Sequence, residues 1–340
     1  MKAVRFHQQG GLEVLRYEDA PDPTIGDDDV LVRVRACALN HLDIWLRSAL
    51  PGIKLPHIAG SDVSGEVAAV GAKVEGLKSG DRVVVNPSLS CGRCEFCETG
   101  DDNICTSFGI LGAATDGGYA ELVRVPARNV LPIPGDLSYE QAAAFPLVFL
   151  TSWHMLVSRA RIAAGETVLV LAAGSGVGSA AVQIAKLWGL RVIATVGGQA
   201  KMQKARDLGA DHVINHSEQD VVAAVREITG ERGVDVVLEH VGPSTWRNSL
   251  RCMARGGRLV TCGATTGPTV EVDLRFMFSR QLTLLGSMMG TREDFRRVTD
   301  LVGRGALKPV IDSAFPLQQA IEAQRRMESR NFFGKILVVP

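Results

Sequence analysis

Four cysteines fall within fifteen residues, as Cys91-x-x-Cys94-x-x-Cys97-x7-Cys105. Four thiolates on one short loop match the tetrahedral, sulfur-rich coordination that Zn²⁺ favours. With four protein ligands no coordination position stays open, so such an ion braces structure and does not catalyse. An iron–sulfur cluster also takes four cysteines. Cys37, Cys252 and Cys262 read as small buried hydrophobes. Seven cysteines in all, an odd number with four clustered, point to a metal site in a reducing, cytoplasmic compartment and not to a disulfide framework.

A second chemical feature is Gly174-Ser175-Gly176-Val177-Gly178. It follows the apolar run Thr167 to Ala173 and precedes Val177, Ala181, Ile184 and Trp188, which recur at helical spacing. Small residues between a buried strand and a helix let the backbone approach a pyrophosphate, and the helix N-terminus supplies free N–H groups. A strict GxGxxG fails, because the sixth residue from Gly174 is Ser179. The flanking strand, helix and second strand still favour dinucleotide binding over a tight turn that binds nothing. An NAD site usually places an acid about 20 residues on. Here the segment reads Thr195-Val196-Gly197-Gly198-Gln199-Ala200-Lys201, with no acid, two glycines that leave room and one lysine. NADP(H) is therefore the expected cofactor, with NAD(H) as the alternative. Lys201 is equally placed to be a solvated first-turn lysine.

The elements around these features fall into two textures. The length of 340 residues suggests two domains at about 150 residues each. Residues 1 to about 135 carry short strands, among them Val30–Ala36, Val67–Val70 and Arg82–Val85, broken by turn pairs such as Pro51-Gly52. From about residue 150, strands (Arg191–Val196, Val213-Ile214, Val234–Leu238, Arg258–Cys262, Leu282–Leu285) alternate with helical patterns (Val221–Ile228, Trp246–Met253). That alternation predicts a doubly wound parallel sheet. An amphipathic stretch, Pro316–Met327, and a last strand, Lys335–Val339, close the chain. Lys plus Arg equals Asp plus Glu at 37 each, so neither nucleic acid nor an anionic membrane surface is expected as a partner. The apolar runs are too short to span a membrane.

Together these pieces resemble the zinc-type medium-chain dehydrogenase/reductase superfamily, which includes alcohol dehydrogenases and quinone oxidoreductases. The resemblance runs from the N-terminal strand to Phe333-Gly334-Lys335-Ile336. It implies an α/β chain: a GroES-like β-rich catalytic domain (1–148 and 288–340, with a structural-zinc lobe at about 88–108) and a Rossmann doubly wound parallel sheet (149–287). The active site is then expected in the cleft between them. The cysteine spacing is similar to that family's structural-zinc lobe, which favours zinc over iron–sulfur. The catalytic zinc does not carry over. The family's Ala-Cys-Gly-x-Cys-x-x-Asp reads Ala36-Cys37-Ala38-Leu39-Asn40-His41-Leu42-Asp43, and its Gly-His-Glu reads Gly60-Ser61-Asp62. Its third ligand falls near Pro146-Leu147-Val148-Phe149, which holds no cysteine. Asn40, Asp43 and Arg47 resemble the quinone oxidoreductase pattern Asn-x-x-Asp-x-Tyr-x-Arg, with Trp45 in place of the tyrosine.

Alcohol oxidation needs its alkoxide stabilised by a Lewis acid. A quinone or enone spreads the charge it receives, so neutral hydrogen-bond donors suffice. The expectation is NADPH-dependent reduction of a quinone or an activated C=C bond. Asn40 is the candidate for polarising the acceptor oxygen and His41 for meeting the pyrophosphate or relaying protons. Trp45 and Phe149 would shape a flat apolar site, and Asp62 would be a structural partner of Arg47 or of a backbone N–H. His216, Val241, Gly263, Phe333 and Lys335 are assigned to the cofactor by the resemblance. It also implies a homodimer, or an oligomer built from dimers, through the Rossmann sheet edge, where Leu282–Met289 is apolar enough to serve. Two alternatives remain open. One is an alcohol or aldehyde dehydrogenase whose metal is held unusually by Cys37, His41, His57 or Asp62. The other is a non-catalytic dinucleotide-binding protein.

Overall fold

The computed structural model describes residues 1–340. The chain parts into two units, Met1–Leu147 with Thr291–Pro340, and Val148–Gly290.

In the first unit the strand Asp29–Ala38 organises a seven-stranded sheet. The order is Ile311–Pro316, Lys335–Val339, Asp29–Ala38, Asp62–Val70, Arg82–Val85 and Val130–Pro132, and Leu122–Pro126 also pairs with Asp29–Ala38. Val30, Val32 and Val34 alternate with more exposed residues, then Ala36, Cys37 and Ala38 are all fully buried. The strand is thus half-covered at its start and enclosed at its end. Phe6, Val32, Leu46, Val63, Val83, Tyr119, Ile336 and Val338 belong to the core that this sheet covers. Each large apolar side chain buried there contributes about 1.5–3 kcal/mol. This is the GroES-like fold expected of the N-terminal half.

The second unit holds six parallel strands in the order His212–Asn215, Arg191–Val196, Thr167–Val170, Val234–Glu239, Met253–Thr261, Thr283–Gly286. All four residues of Thr167–Val170 are buried, as a strand covered on both faces requires. The strand order reverses beside Thr167–Val170, which is the switch point where doubly wound sheets bind ligands. The sheet is of the Rossmann type.

Several boundaries differ from the sequence reading. The strand predicted to reach Ala173 stops at Val170, because Ala172 turns the chain with φ +46°. Seven helices escaped notice, among them His41–Ser48, Pro146–Trp153 and Arg292–Gly303. Pro146–Trp153 is apolar nearly all round, so it has no polar face to reveal a helical period. Leu282–Met289 contains the edge strand Thr283–Gly286. Cys37 and Cys252 are buried as expected, whereas Cys262 lies just beyond its strand and is partly exposed. No helix is long and apolar enough to cross a membrane.

Candidate active site

Strand register builds the site of the first unit. Ala38 pairs with Asp62 on one side and with Leu337 on the other, and the Leu39 N–H donates to the Ile336 carbonyl at 2.8 Å. Three distant segments therefore place Asn40, Asp62 and Lys335 together. Lys335 Nζ donates to Asn40 Oδ1 at 2.6 Å and to Asp62 Oδ2 at 2.9 Å. Asn40 Nδ2 donates to the same Asp62 Oδ2 at 2.9 Å. A lysine can only donate, so it fixes which end of the amide is oxygen. The other carboxylate oxygen, Asp62 Oδ1, accepts the Leu147 N–H at 2.7 Å. Asp62 is fully buried and Lys335 only 3% exposed, so each charge is held by the other.

A second buried carboxylate lies below. Asp43 accepts the Asn40 N–H at 2.8 Å, the Tyr119 hydroxyl at 2.8 Å and the Gly60 N–H at 3.2 Å. Burial pushes its carboxyl up to about 6, although these donors and the Lys335 charge oppose the shift. Burial, with the Asp43 charge, also raises the Tyr119 phenol well above its ordinary range. The Cys37 thiol is raised in the same way, by burial first and then by Asp43 and Asp62.

Of the two partners expected for Asp62, the backbone N–H is there, from Leu147, and Arg47 is not. Its guanidinium donates to Gln324 Oε1 at 2.8 Å, to the Gly10 carbonyl at 3.0 Å and to Glu328. On helix His41–Ser48 the side chain of Arg47 leaves one turn past Asp43 and docks on helix Ala320–Glu328 instead. His41 and Trp45 meet edge to face, with ring centroids 5.1 Å apart. Phe149 is buried in helix Pro146–Trp153. Lys335, which the sequence reading gave to the cofactor, has its ammonium on Asp62 and Asn40. Phe333 is buried, and its N–H donates to Asp312 Oδ1 at 3.1 Å.

In the second unit, Ser175 caps helix Gly176–Leu187 and accepts the Gly178 N–H at 2.9 Å. A Cβ on Gly178 would sit 2.3 Å from the Ala172 carbonyl oxygen, so only glycine allows the helix this close to the strand end. Thr195 Oγ1 accepts the Ala172 N–H at 3.0 Å and steadies the turn before Gly174. The helix N-terminus, free of side-chain bulk at Gly176, fits a pyrophosphate. Gly197 follows strand Arg191–Val196, and the His216 ring lies beside it: a Cβ there would be 3.2 Å from His216 Nε2. Lys201 ends the short turn Gln199–Lys201 that comes next. Val241 and Gly242 are held by Glu239, a fully buried carboxylate that the sequence reading missed. Glu239 Oε1 accepts both their N–H groups, at 2.6 and 3.0 Å, and Oε2 accepts the Thr245 and Ser249 hydroxyls. A Cβ on Gly263 would meet the His240 carbonyl oxygen at 2.7 Å, so strand ends 239–242 and 261–263 pack backbone to backbone.

The four cysteines converge between the short strands Ser88–Leu89 and Gly109–Ile110. Their sulfurs lie within 4.8 Å of one another, with Cys94 3.5 Å from Cys97 and 3.7 Å from Cys105, and Cys91 3.9 Å from Cys97. Tetrahedral Zn–S bonds of 2.3 Å require S···S spacings of about 3.8 Å, so the cluster fits zinc. The Cys91 and Ser107 N–H groups each point at Cys105 Sγ at 3.3 Å and offset thiolate charge. Cys37, His41, His57 and Asp62 form no second such group, and His57 Nε2 instead bonds the Gly112 carbonyl at 2.9 Å.

Residues 26–135 match the alcohol dehydrogenase GroES-like domain and residues 176–304 match the zinc-binding dehydrogenase family. A quinone oxidoreductase of Pseudomonas aeruginosa is 34% identical over 349 aligned positions, covering 100% of this chain and 99% of the relative. The chain belongs to the zinc-type medium-chain dehydrogenase/reductase superfamily. Within that superfamily its similarities divide. An NAD-dependent alcohol dehydrogenase of Sulfolobus acidocaldarius is 33% identical over 98% of both chains. A solved structure described as an NAD-dependent alcohol dehydrogenase is 46% identical, covers 100% of each chain and superposes with a TM-score of 0.96. This medium-chain protein is accordingly an NAD(P)-dependent oxidoreductase with a four-cysteine cluster of the structural-zinc kind.

Proposed function

We propose that the protein is an NADPH-dependent reductase of quinones or of activated C=C bonds that works without a catalytic zinc. The observation that carries this reading is the donor set at Asn40, Ser61 and Leu147. The resemblance puts metal ligands at Asn40, at Ser61 and within Pro146–Phe149, and these places offer no thiolate and no imidazole. The Asn40 carbonyl already accepts Lys335, and Leu147 contributes a backbone N–H to Asp62. That set does not fit Zn²⁺, which takes sulfur, imidazole nitrogen or free carboxylate oxygen. An ordinary alcohol would have no Lewis acid to stabilise its alkoxide. A conjugated acceptor needs only hydrogen-bond donors aimed at its oxygen. Bound NADPH supplies the hydride. The similarity to quinone oxidoreductases at 31–34% identity supports the same substrate class.

Preference for NADPH rests on the end of strand Arg191–Val196, where Gly197 replaces the usual acid and His216 stands beside it. A homodimer is supported by the outer edge of the second sheet. Thr283–Gly286 is an edge strand, and Leu274, Phe278 and Met288 near it in sequence are exposed.

A second reading, an alcohol dehydrogenase, is favoured by the 46% identity to the solved dehydrogenase. One experiment separates them: NADPH and NADH oxidation over a panel of quinones, enones, enoyl thioesters and aldehydes, with zinc counted in the same preparation. The proposed reductase consumes NADPH with quinones or enones and holds one zinc per chain. Two zincs per chain, with turnover confined to alcohols and aldehydes, would establish the dehydrogenase.

A further inference from the structure

A lysine ammonium has three N–H donors. Lys335 spends two, on Asn40 Oδ1 and Asp62 Oδ2, and the third has no partner in the protein. Ser61, the residue before Asp62, carries a fully buried hydroxyl that also lacks a partner. A buried polar group left without a partner is costly unless an oxygen of a ligand completes it. The Asn40 amide, by contrast, is committed: its NH₂ donates to Asp62 Oδ2 at 2.9 Å and to the Ala38 carbonyl at 3.5 Å, and its oxygen accepts from Lys335. The ammonium is also rigidly mounted, since the Lys335 N–H donates to the Val310 carbonyl at 2.8 Å and the next residue is bonded to Leu39.

We propose that Lys335 is a catalytic residue whose free N–H donates to the carbonyl oxygen of the quinone or enone, with Asn40 and Asp62 as the residues that position it. The inference rests on the reductase reading. As hydride from the dihydronicotinamide forms the new C–H bond, the π pair of the acceptor moves onto oxygen. The Lys335 ammonium meets that charge and passes a proton to the oxygen, and water restores the proton to nitrogen. For a quinone, hydride plus this proton gives a keto tautomer, which becomes the hydroquinone when the hydride-bearing ring carbon gives up one proton to water and the second oxygen takes one from water. An enone is protonated through its enol to the saturated ketone. A fixed, buried ammonium does electrostatic work that bulk solvent does not, because it is oriented before the reaction. Asn40 would then hold the cation in place and not the substrate.

The test compares wild type, Lys335→Met, Lys335→Arg and the double variant Asp62→Asn/Lys335→Met. The double variant leaves no unpaired buried carboxylate if the single one fails to fold. NADPH Kd is read by fluorescence, and kcat and KM with the best quinone or enone at saturating NADPH. The proposal expects NADPH Kd within about twofold of wild type in Lys335→Met and in the double variant, with kcat and kcat/KM both down by about 10²–10³. Lys335→Arg, which keeps the charge, regains part of that loss. Unchanged kcat in the folded variants, or a loss that lies wholly in NADPH Kd, overturns the assignment and returns Lys335 to the cofactor. A wild type that reduces no quinone or enone overturns the underlying reading instead, and does so before any variant is compared.

Discussion

Asp43 makes the pH dependence of stability testable. Its carboxyl is fully buried and pushed up to about 6, against 3.8 for the free side chain. The fold therefore binds this proton more tightly than the unfolded chain does. Stability from Asp43 is fully present below about pH 4 and is lost as pH rises through about 6. The difference of about 2 units is worth about 3 kcal/mol in all, of which about 2 kcal/mol falls between pH 4 and pH 7. Other carboxylates, such as Asp312 and Asp235, are held low by arginines and shift stability the opposite way. They are shared with an Asp43→Asn variant and cancel in the difference. Urea unfolding of both proteins from pH 4 to pH 7, followed by circular dichroism and tryptophan emission, gives that difference where the two probes coincide. The stability of wild type minus that of Asp43→Asn should fall by about 2 kcal/mol over this range. A flat difference, or one that grows with pH, would show that the three donors on Asp43 outweigh its burial.

Three further outcomes follow from separate parts of the chain. Purified protein should carry one zinc per chain by mass spectrometry. Cys94→Ser should lose it and open residues 88–110 to proteolysis, while activity on the best acceptor stays within a few-fold. Gly178→Ala drives a methyl to 2.3 Å from the Ala172 carbonyl oxygen and 2.7 Å from Ala173 Cα. Backbone atoms cannot rotate aside, so the variant should cost about 1–3 kcal/mol and weaken NADPH binding at least tenfold by fluorescence titration. Phe278→Glu, at a side chain 71% exposed, should halve the mass seen by light scattering while monomer folding and NADPH affinity are kept.

Features written in local sequence were legible. The cysteine spacing alone located the cluster, because four ligands on one loop need no distant partner to meet. Strand Arg191–Val196 and strand Lys335–Val339 were read to the residue, since turn residues or charges bound each apolar run. The glycine loop was legible because strand, turn and helix are consecutive. Helix Pro146–Trp153 was not, because a buried helix shows no period. Glu239 was not, because its four donors come from a turn and a following helix whose path the sequence does not trace.

The deepest gap concerns charge. A reading built on local motifs sees Asn40, Ser61 and a segment without cysteine where a cation's ligands would stand, and concludes that the site works with neutral donors. The cation comes from the far end of the chain. It arrives because Leu337 and Asp62 both pair with Ala38, a register set by which residues of three strands face the core and not by any motif near Lys335. A one-residue slip of Lys335–Val339 would turn every side chain of that strand to the opposite face. It would carry the ammonium away from Asp62, and it would take Ile336 and Val338 out of one core cluster and Leu337 out of another. The packing that buries both faces of the last strand therefore also holds the charge beside Asn40.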